Sequence, residues 1–233
     1  MLKTFSILTL SVVLPFAMLL YPDSGSAVAA EAGPATQSTS PATSRPTCKQ
    51  QYVTLNKQHE KALKKTPGSR PYAIALYDVE QAIFPALKQC PDNAELVSLM
   101  GEVQISSGQI PFAIQYGRKA VKIGPRVWQA NYLLGSALNL KKEYAEGIRY
   151  LLIASQLAPG RNTLKFNVCS AYTAAKKYNK AIESCTDLIN RNDKRLGGPA
   201  HYMRALAYKG LGDTRTAEKD QAMARKLGFK EIK

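Results

Sequence analysis

The hydrophobic positions in the second half of the chain recur with a period of 34 residues. Three segments (94–127, 128–161 and 162–195) follow one another without a gap, and a fourth (198–231) follows after a two-residue insertion. Apolar residues at i, i+3, i+4 and i+7 predict two amphipathic helices in each segment. A fixed period of this length is typical of a solenoid, in which each unit buries its apolar face by stacking on its neighbours.

Small residues recur where the two helices of a unit must approach closely. At the eighth position of the four units stand Gly101, Gly135, Cys169 and Ala205. At the twentieth position stand Ala113, Gly147, Ala181 and Ala217. Turn residues separate the two apolar stripes, and Pro125 and Pro159 close the first two units, as proline does just past a helix end.

This pattern resembles the tetratricopeptide repeat (TPR) family over roughly residues 94 to 230. The resemblance implies an all-α protein, an α-α superhelical solenoid of TPR-like helix-turn-helix repeats. The chain departs from the family at three packed positions, which hold Cys169, Leu188 and Arg204, and no unit has Trp at its fourth position. We expect these departures to change the local packing and to leave the fold intact.

Residues 48–92 predict two further helices, over 48–65 and 72–90. Pro91 lies 34 residues before Pro125, so this pair is in phase with the array. Pro85 is expected to kink the second helix or to shift its boundary. We interpret the pair as a degenerate N-terminal repeat that caps the solenoid.

The first 29 residues have the composition of a signal peptide. Lys3 precedes an apolar run over 5–21, and Ala27-Val28-Ala29 forms a small-x-small cleavage site. An uncleaved membrane anchor is the alternative. Residues 30–47 are rich in Pro, Ser, Thr and Ala and predict a flexible linker. The expected localisation is therefore outside the cytoplasm, either periplasmic or secreted.

Export affects the interpretation of the four cysteines, because an even number in an oxidising compartment favours disulfide bonds. Of the three possible pairings we favour Cys48 with Cys90, at the meeting ends of the first two helices, and Cys169 with Cys185, within the third unit. The alternative for Cys169 and Cys185 is two reduced cysteines packed in the core.

The chain is strongly basic, with 32 Lys and Arg against 17 Asp and Glu and a net charge of +15. Part of the excess lies near the helix turns, which stacking would bring onto one edge. This basic edge comprises Lys141, Lys142, Lys176, Lys177, Lys180 and Arg215. It is interpreted either as a solvated surface or as a site of attraction to an anionic envelope component. Nucleic acid is not an expected partner of an exported protein.

Motifs of enzymes and cofactor sites are absent from the sequence. There is no Gly-rich phosphate loop, no Gly-x-Ser-x-Gly elbow and no run of metal-ligating His and carboxylates. The two histidines, His59 and His201, are expected to be packed residues. We therefore expect no enzyme activity, no metal and no cofactor.

The resemblance implies that positions 2, 5, 9 and 12 of each first helix line a concave groove. In the first unit these positions hold Glu95, Ser98, Glu102 and Ile105. The candidate peptide-groove residues in the later units are Gln129, Tyr132, Ser136, Asn139, Phe166, Ser170, Thr173 and Tyr202. Tyr132, Phe166 and Tyr202 share the fifth position, so they form either an aromatic ladder for a ligand or part of the scaffold.

The leading functional hypothesis is an exported, periplasmic TPR-type adaptor or scaffold. It would bind a protein or peptide segment in the groove and support assembly of an envelope complex related to secretion, pili or the cell wall. The alternative is a basic envelope-binding protein that attaches to anionic lipid or cell-wall polymer through the basic edge. The two hypotheses differ in salt dependence, since attraction between exposed charges weakens as ionic strength rises.

Overall fold

A computed structural model describes residues 46–230. The predicted signal peptide (1–29) and nearly all of the predicted linker (30–47) lie outside the described residues, as do residues 231–233. The described chain is helical and contains no strand. The helices are α1 (Cys48–Leu63), α2 (Arg70–Gln89), α3 (Ala94–Ser106), α4 (Ile110–Ile123), α5 (Trp128–Leu140), α6 (Tyr144–Leu157), α7 (Asn162–Ala174), α8 (Tyr178–Asn190), α9 (Gly197–Gly210) and α10 (Thr214–Lys226).

The helices form five hairpins that stack in sequence order. Each odd-numbered helix packs against the even-numbered helix that follows it, and each even-numbered helix from α2 to α8 also packs against the first helix of the next hairpin. The first helices α1, α3, α5, α7 and α9 also contact one another along the array. This is the helical solenoid that the repeat predicts, and its first helices form one continuous face, which we call the inner face.

The first helices of the repeats begin where the sequence period places them. Helices α3, α5 and α7 begin at Ala94, Trp128 and Asn162, the first residues of the first three predicted units. Helix α9 begins at Gly197, one residue before the predicted fourth unit. The two-residue insertion, Leu196 and Gly197, spans the end of the turn after α8 and the first residue of α9.

Side-chain caps define several helix starts. The Oγ1 of Thr47 accepts a hydrogen bond from the backbone N–H of Gln50, and the Gln50 side chain accepts one from the Thr47 N–H, which completes a capping box. Asn93 accepts from the N–H of Leu96 at the start of α3. Pro85 lies inside α2, and the helix continues past it to Gln89, so the expected shift of the helix boundary does not occur.

The helices of the second repeat approach each other most closely at Gly135 of α5 and Gly147 of α6. A Cβ on Gly135 would lie 2.8 Å from the carbonyl oxygen of Gly147 and 2.9 Å from the backbone nitrogen of Leu151. A Cβ on Gly147 would lie 2.9 Å from the carbonyl oxygen of Gly135. The obstacles are backbone atoms, so glycine at these two positions sets the distance between the helices.

An arginine occupies a packed position of the fourth repeat because a carboxylate is buried opposite it. Arg204 donates from Nε to Oδ2 of Asp220 at 2.7 Å and from Nη2 to Oδ1 at 2.8 Å. Its Nη1 donates to Oγ1 of Thr186, and the ring Nδ1 of His201 lies 2.8 Å from Oδ1 of Asp220. This bidentate pair satisfies both charges, which explains how the repeat tolerates the departure from the family pattern.

Two disulfide bonds are present, with the pairings that the sequence analysis favoured. Cys48 bonds to Cys90 with a Cα–Cα distance of 5.9 Å, which ties the start of α1 to the end of α2. Cys169 bonds to Cys185 with a Cα–Cα distance of 5.1 Å, which joins α7 to α8. In the chain-entropy model, closing loops of 42 and 16 residues stabilises the fold by roughly 3–4 kcal/mol per bond.

The close approach of α5 and α6 predicts that Gly135→Ala destabilises the protein. The added methyl group meets backbone atoms that cannot rotate away, so we expect the free energy of unfolding to fall by about 1–3 kcal/mol, despite the better helix propensity of Ala. Chemical denaturation followed by circular dichroism measures the change. Gly160→Ala is the matched control, because nothing lies within 4 Å of a Cβ at that turn. Equal stability of the two variants would contradict the prediction.

Candidate functional site

Two of the three aromatic residues at position 5, Tyr132 and Phe166, pack in core clusters of the array, and the third, Tyr202, lies at its end. Phe166 is 1% exposed and belongs to a cluster with Leu188 of its own hairpin, Leu196 of the following turn and Ala200 of the next hairpin. Tyr132 is 5% exposed, and its ring packs with residues of α6 and α7. The ring of Tyr202 lies 5.0 Å from that of Phe229 at the end of the array. Of the two sequence interpretations, this placement favours the scaffold.

Most of the other candidate groove residues are occupied by contacts within the array. Gln129 donates to Oε1 of Glu95 at 3.2 Å, and Thr173 donates to the carbonyl oxygen of Cys169 at 3.0 Å. Ser170 is buried, with its Oγ 3.8 Å from the sulfur of Met203. These side chains join neighbouring first helices or bond to their own helix, so their polar groups are not free for an incoming peptide.

Three candidate residues carry buried oxygens that have no hydrogen-bond partner among the described residues, namely Tyr132, Ser136 and Asn139. Asn139 lies one turn after Gly135 and so shares the face that meets α6. A Cβ on Gly147 would lie 2.6 Å from Oδ1 of Asn139, which shows that this amide is directed at α6 and away from the inner face. The expected role of Asn139 in binding a peptide backbone does not agree with this orientation.

Polar and acidic side chains of α1, α3 and α5 meet on the inner face. We call this group the acidic inner cluster, and it comprises Tyr52, Glu60, Glu95, Glu102, Gln129 and Tyr132. The charges of Glu102 and Glu95 act on the hydroxyl of Tyr52, which lies beside the side chain of Gln129. The charge of Glu102 also acts on the hydroxyl of Tyr132. The cluster therefore draws on residues of three helices.

The surroundings of Glu102 raise the pKa of its carboxyl group. Burial, with a smaller contribution from the negative charge of Glu60, raises the pKa of Glu102 to about 8. The pKa values of the Tyr52 and Tyr132 hydroxyls are also raised, mainly by burial and then by the charge of Glu102. A carboxyl group with a pKa of about 8 is largely protonated at neutral pH. Its ionised form is therefore unfavourable at this position unless a cation compensates the charge.

His59 lies on the same helix as Tyr52 but does not supply a cation. It is buried, and burial lowers its pKa to about 4, so its ring is neutral at physiological pH. Its Nε2 lies 3.2 Å from Oγ of Ser106. This agrees with the packed role expected from the sequence.

Of the members of the cluster, Tyr52 was not among the residues expected to line the groove, whereas Glu102 was. Position 9 of the first repeat placed Glu102 on the groove side, but no sequence signal showed that it would be unpaired. Tyr52 lies on α1, outside the predicted repeats that supplied the candidate groove residues. Its proximity to Gln129 depends on α1 packing across the start of the array, and a single helical period does not reveal that arrangement.

The basic edge lies at equivalent turns of successive repeats. Lys142 and Lys176 occupy the turns that end α5 and α7, with φ angles of 69° and 56°. Glycine occupies the corresponding turns as Gly108 and Gly212, both at positive φ. Lys176, Lys177 and Lys180 line one shallow recess beside Tyr178 and Leu211. Lys141 pairs with Glu143 at 2.8 Å, while the side chains of this edge remain exposed to solvent.

Within residues 46–230, no group of His, Cys, Asp and Glu could hold a metal ion. In the same range, no helix is both long and apolar enough to cross a membrane.

The fold resembles solved structures of MamA. The chain aligns with a crystal structure of MamA at 24% identity and a TM-score of 0.59, covering 75% of this chain and 94% of that one. It aligns with a second crystal structure of MamA at 22% identity and a TM-score of 0.58, covering 76% and 91%. The fragment of MamA from residue 41 to the end, from Desulfovibrio magneticus RS-1, aligns at 16% identity and 0.61, covering 76% and 95%.

These comparisons confirm the fold class, a superhelix of TPR-like helix pairs, which the consecutive hairpins of this chain also display. The identities are below the level at which a shared role follows, so the comparisons support the fold alone. No protein-family model matches the sequence, and no curated protein matches it. The functional argument therefore depends on this chain's own residues.

The raised pKa of Glu102 predicts an unusual pH dependence of stability. The folded state holds a proton that the unfolded chain releases between its ordinary pKa of 4.5 and about 8, so this group lowers stability as pH rises through that window. Glu102→Gln should therefore stabilise the protein progressively from pH 5 to pH 8, by up to about 1.4 kcal/mol per pH unit. Solvent reaches part of Glu102, so this figure is an upper bound.

Chemical denaturation of wild type and Glu102→Gln at several pH values tests this prediction. Glu218→Gln on α10 is the matched control, because Glu218 is exposed at the far end of the array. If Glu102→Gln and the control shift stability equally at every pH, the carboxyl of Glu102 does not titrate as described.

Proposed function

We propose that this chain is an exported, periplasmic adaptor of TPR type that binds a segment of another protein on its inner face. Through that binding it supports assembly of an envelope complex related to secretion, pili or the cell wall. The observation that carries the proposal is the inner face, on which the first helices of the five described hairpins contact one another along the array.

Export is supported by the two disulfide bonds. Disulfides persist in oxidising compartments and are rare where glutathione keeps thiols reduced. The predicted signal peptide agrees with this location. Binding of a protein segment is supported by the solenoid architecture, because stacked first helices create an extended surface rather than an enclosed pocket.

The adaptor proposal is tested best by photo-crosslinking, because position 5 is packed. Replacing Tyr132 and Phe166 by Ala would remove core contacts and cost about 3–5 kcal/mol at each site, which would confuse loss of binding with loss of folding. A photoreactive phenylalanine analogue can instead replace a partly exposed inner residue, Tyr52 or Thr173. Lys122 and Arg149 on second helices are the matched outer positions, since both are exposed.

We expect irradiation in the native envelope to yield one defined protein adduct from the inner positions and none from the outer ones. Mass spectrometry of the adduct identifies the partner. Adducts that form only from Lys122 or Arg149 would place the binding surface on the second helices and overturn the assignment to the inner face.

A second candidate function, attachment to anionic lipid or cell-wall polymer, is favoured by one observation at the basic edge. Lys142 and Lys176 hold a left-handed backbone conformation that costs a non-glycine residue about 1–2 kcal/mol, whereas other turns of this array use glycine there. Strain of this kind is retained where the side chain has a use. Three exposed lysines around one recess also concentrate positive charge.

Vesicle sedimentation tests the second candidate. We expect the protein to bind phosphatidylglycerol-containing vesicles more tightly than phosphatidylcholine vesicles, and to release them as salt rises. The triple change of Lys142, Lys176 and Lys177 to Gln should weaken binding at least tenfold, at about 1 kcal/mol per lysine. The control variant changes Lys61, Lys64 and Lys65 to Gln and has the same net charge. Equal loss in both variants would indicate general attraction without a basic edge.

A further inference from the structure

A recess with a volume of about 270 Å³ lies at the end of the array, and we call it the terminal recess. Its lining includes Tyr202 of α9, residues of α10 and the turn that follows α10, namely Gln221, Ala224, Arg225, Phe229 and Lys230. The ring centroids of Tyr202 and Phe229 lie 5.0 Å apart, so the recess has an aromatic wall. Sites that enclose a small-molecule ligand have volumes of roughly 300–1,000 Å³. The smaller terminal recess suits one or two side chains of a docked protein segment.

The turn after α10 directs Phe229 back onto α9. Gly228 has a φ angle of 81°, in the left-handed region that favours glycine. The N–H of Phe229 donates to the carbonyl oxygen of Ala224 at 3.0 Å, and the N–H of Gly228 donates to that of Arg225 at 2.9 Å. These two bonds form a Schellman motif at the helix end. A Cβ on Gly198 would lie 3.0 Å from the Cβ of Phe229, so this wall of the recess packs against the start of α9.

In the preceding repeats, the next hairpin covers the aromatic residue at position 5. Phe166 is 1% exposed, and it packs in one cluster with Leu196 and Ala200 at the start of α9. Tyr132 is covered in the same way by residues of α7. Tyr202 occupies position 5 of the fourth repeat, and among residues 46–230 no further helix follows α10 to cover it. By the equivalence of the repeats, the terminal recess is the place where a following first helix would pack.

The residue at position 27 of each repeat supports the same interpretation. Ala120 occupies this position in the first repeat and packs with Ala130 of the next first helix. Leu188 occupies it in the third repeat and packs with Ala200 of the next first helix. Ala224 occupies it in the fourth repeat and lines the terminal recess instead. Two packed positions of the repeat therefore border a site that earlier repeats fill with apolar residues of the next hairpin.

The charges around the terminal recess indicate an acidic occupant. Arg225 and Lys230 line the recess, Lys226 follows Arg225 on α10, and all three side chains are exposed. Among residues 46–230 none of the three makes an ion pair, and the lining of the recess contains no carboxylate. Opposite charges across an interface favour association, and like charges oppose it. A helix that carries acidic side chains beside its apolar residues therefore complements this surface.

A second copy of this chain does not meet that requirement. End-to-end stacking would place α1 of the second copy on the recess, because α1 is the first helix at the other end of the described array. Helix α1 carries Lys49, Lys57 and Lys61 at exposed positions and a single acidic residue, Glu60. These lysines oppose stacking on the cations of the recess, as does the net charge of +15 on each chain. Charge therefore favours a different protein as the occupant.

We propose that the terminal recess docks an amphipathic helix of an acidic partner protein, which takes the place of a further first helix. The helix packs one apolar side chain of about the size of leucine against the rings of Tyr202 and Phe229. It presents acidic side chains to Arg225 and Lys230. Recognition of an amphipathic helix in a groove uses such apolar anchors at helical spacing. The recess lies at the end of the array, so this interaction goes beyond the proposed binding on the inner face.

Fluorescence anisotropy with labelled helical peptides tests the inference on the purified protein. The probe is a hydrocarbon-stapled peptide that carries Leu and Ala four residues apart, the spacing of Leu196 and Ala200, and Glu at its exposed positions. A second peptide has Ser in place of that Leu, and a third has Lys in place of each Glu. The Ser peptide keeps the negative charge, so it measures the general attraction to a protein of net charge +15.

Three protein variants accompany the peptides. Gln221→Phe places a ring in the recess without removing a core residue, because Gln221 is a half-buried lining residue. The double change Arg225→Gln and Lys230→Gln removes the two lining cations. The matched control, Arg215→Gln and Lys219→Gln, has the same net charge and alters exposed residues of α10 outside the lining. Circular dichroism establishes that each variant is folded.

We expect the Leu peptide to bind at least about tenfold more tightly than the Ser peptide, because burial of the leucine side chain supplies most of the affinity. The Lys peptide should not bind. Gln221→Phe should abolish the preference for Leu over Ser. Loss of both lining cations should weaken binding of the Leu peptide by about threefold to tenfold, as expected for two exposed ion pairs, and the control should retain it.

Equal binding of the Leu and Ser peptides, or an unchanged preference in Gln221→Phe, would overturn the inference. Equal weakening in the two double variants would overturn the role of the lining cations and the acidic chemistry with it. Deletion of residues 231–233 provides a further check. If only the shortened chain binds the Leu peptide, the chain's own C-terminus occupies the recess and the inference is wrong.

Sedimentation velocity tests a second copy as the occupant. Self-association of the protein that Gln221→Phe abolishes would assign the recess to another copy of this chain and overturn the inference. We expect no self-association that depends on the recess. The adaptor proposal is decided separately, because crosslinking from Tyr52 or Thr173 reports on the inner face and does not depend on the terminal recess.

Discussion

The close approach of the two helices within each repeat is the constraint on which the rest of this structure depends. At Gly135 and Gly147 the backbones of α5 and α6 come so near that a methyl group on either would meet main-chain atoms. Where other repeats carry Ala or a disulfide-bonded Cys at the same positions, the hairpin keeps the same overall arrangement. Because each hairpin then presents a uniform shape, the next one can stack on it, and a continuous core forms from short units that could not fold alone.

This stacking also decides what remains on the inner face. The large rings at position 5 fill the space between successive hairpins, so Phe166 and the ring of Tyr132 serve the core. Polar side chains of the first helices stay at the surface of the inner face. Helix α1 packs against α3, which brings Tyr52 close to Gln129. The same geometry that buries the aromatic rings therefore brings Glu95, Gln129 and Tyr52 close together on the inner face.

The sequence predicted the fold class and the starts of α3, α5 and α7, because the 34-residue period fixes the residue at which each unit begins. The pairing of Cys48 with Cys90 was also predictable, since the ends of an antiparallel helix pair must meet. The role of the rings was left open, because a helical period shows that position 5 faces inward but not whether it faces a groove or the next hairpin. Asn139 was placed in the groove, although Gly135, one turn earlier, turns that face toward α6. The sequence could not show that the side chain of Glu102 makes no hydrogen bond, because that depends on how the neighbouring helices pack around it.

The disulfide between Cys48 and Cys90 links the stability of the array to the acidic inner cluster. Among residues 46–230, helix α1 is the first hairpin's inner helix, and within that range it has a helical neighbour on only one side along the array. Terminal elements of a solenoid lack half of the contacts that hold interior ones, so they fray first. Because α1 carries Tyr52 and Glu60, fraying there would expose Glu102 to water, which would lower its pKa toward the ordinary value. The disulfide bond at the start of α1 opposes this fraying and so keeps α1 packed against the array.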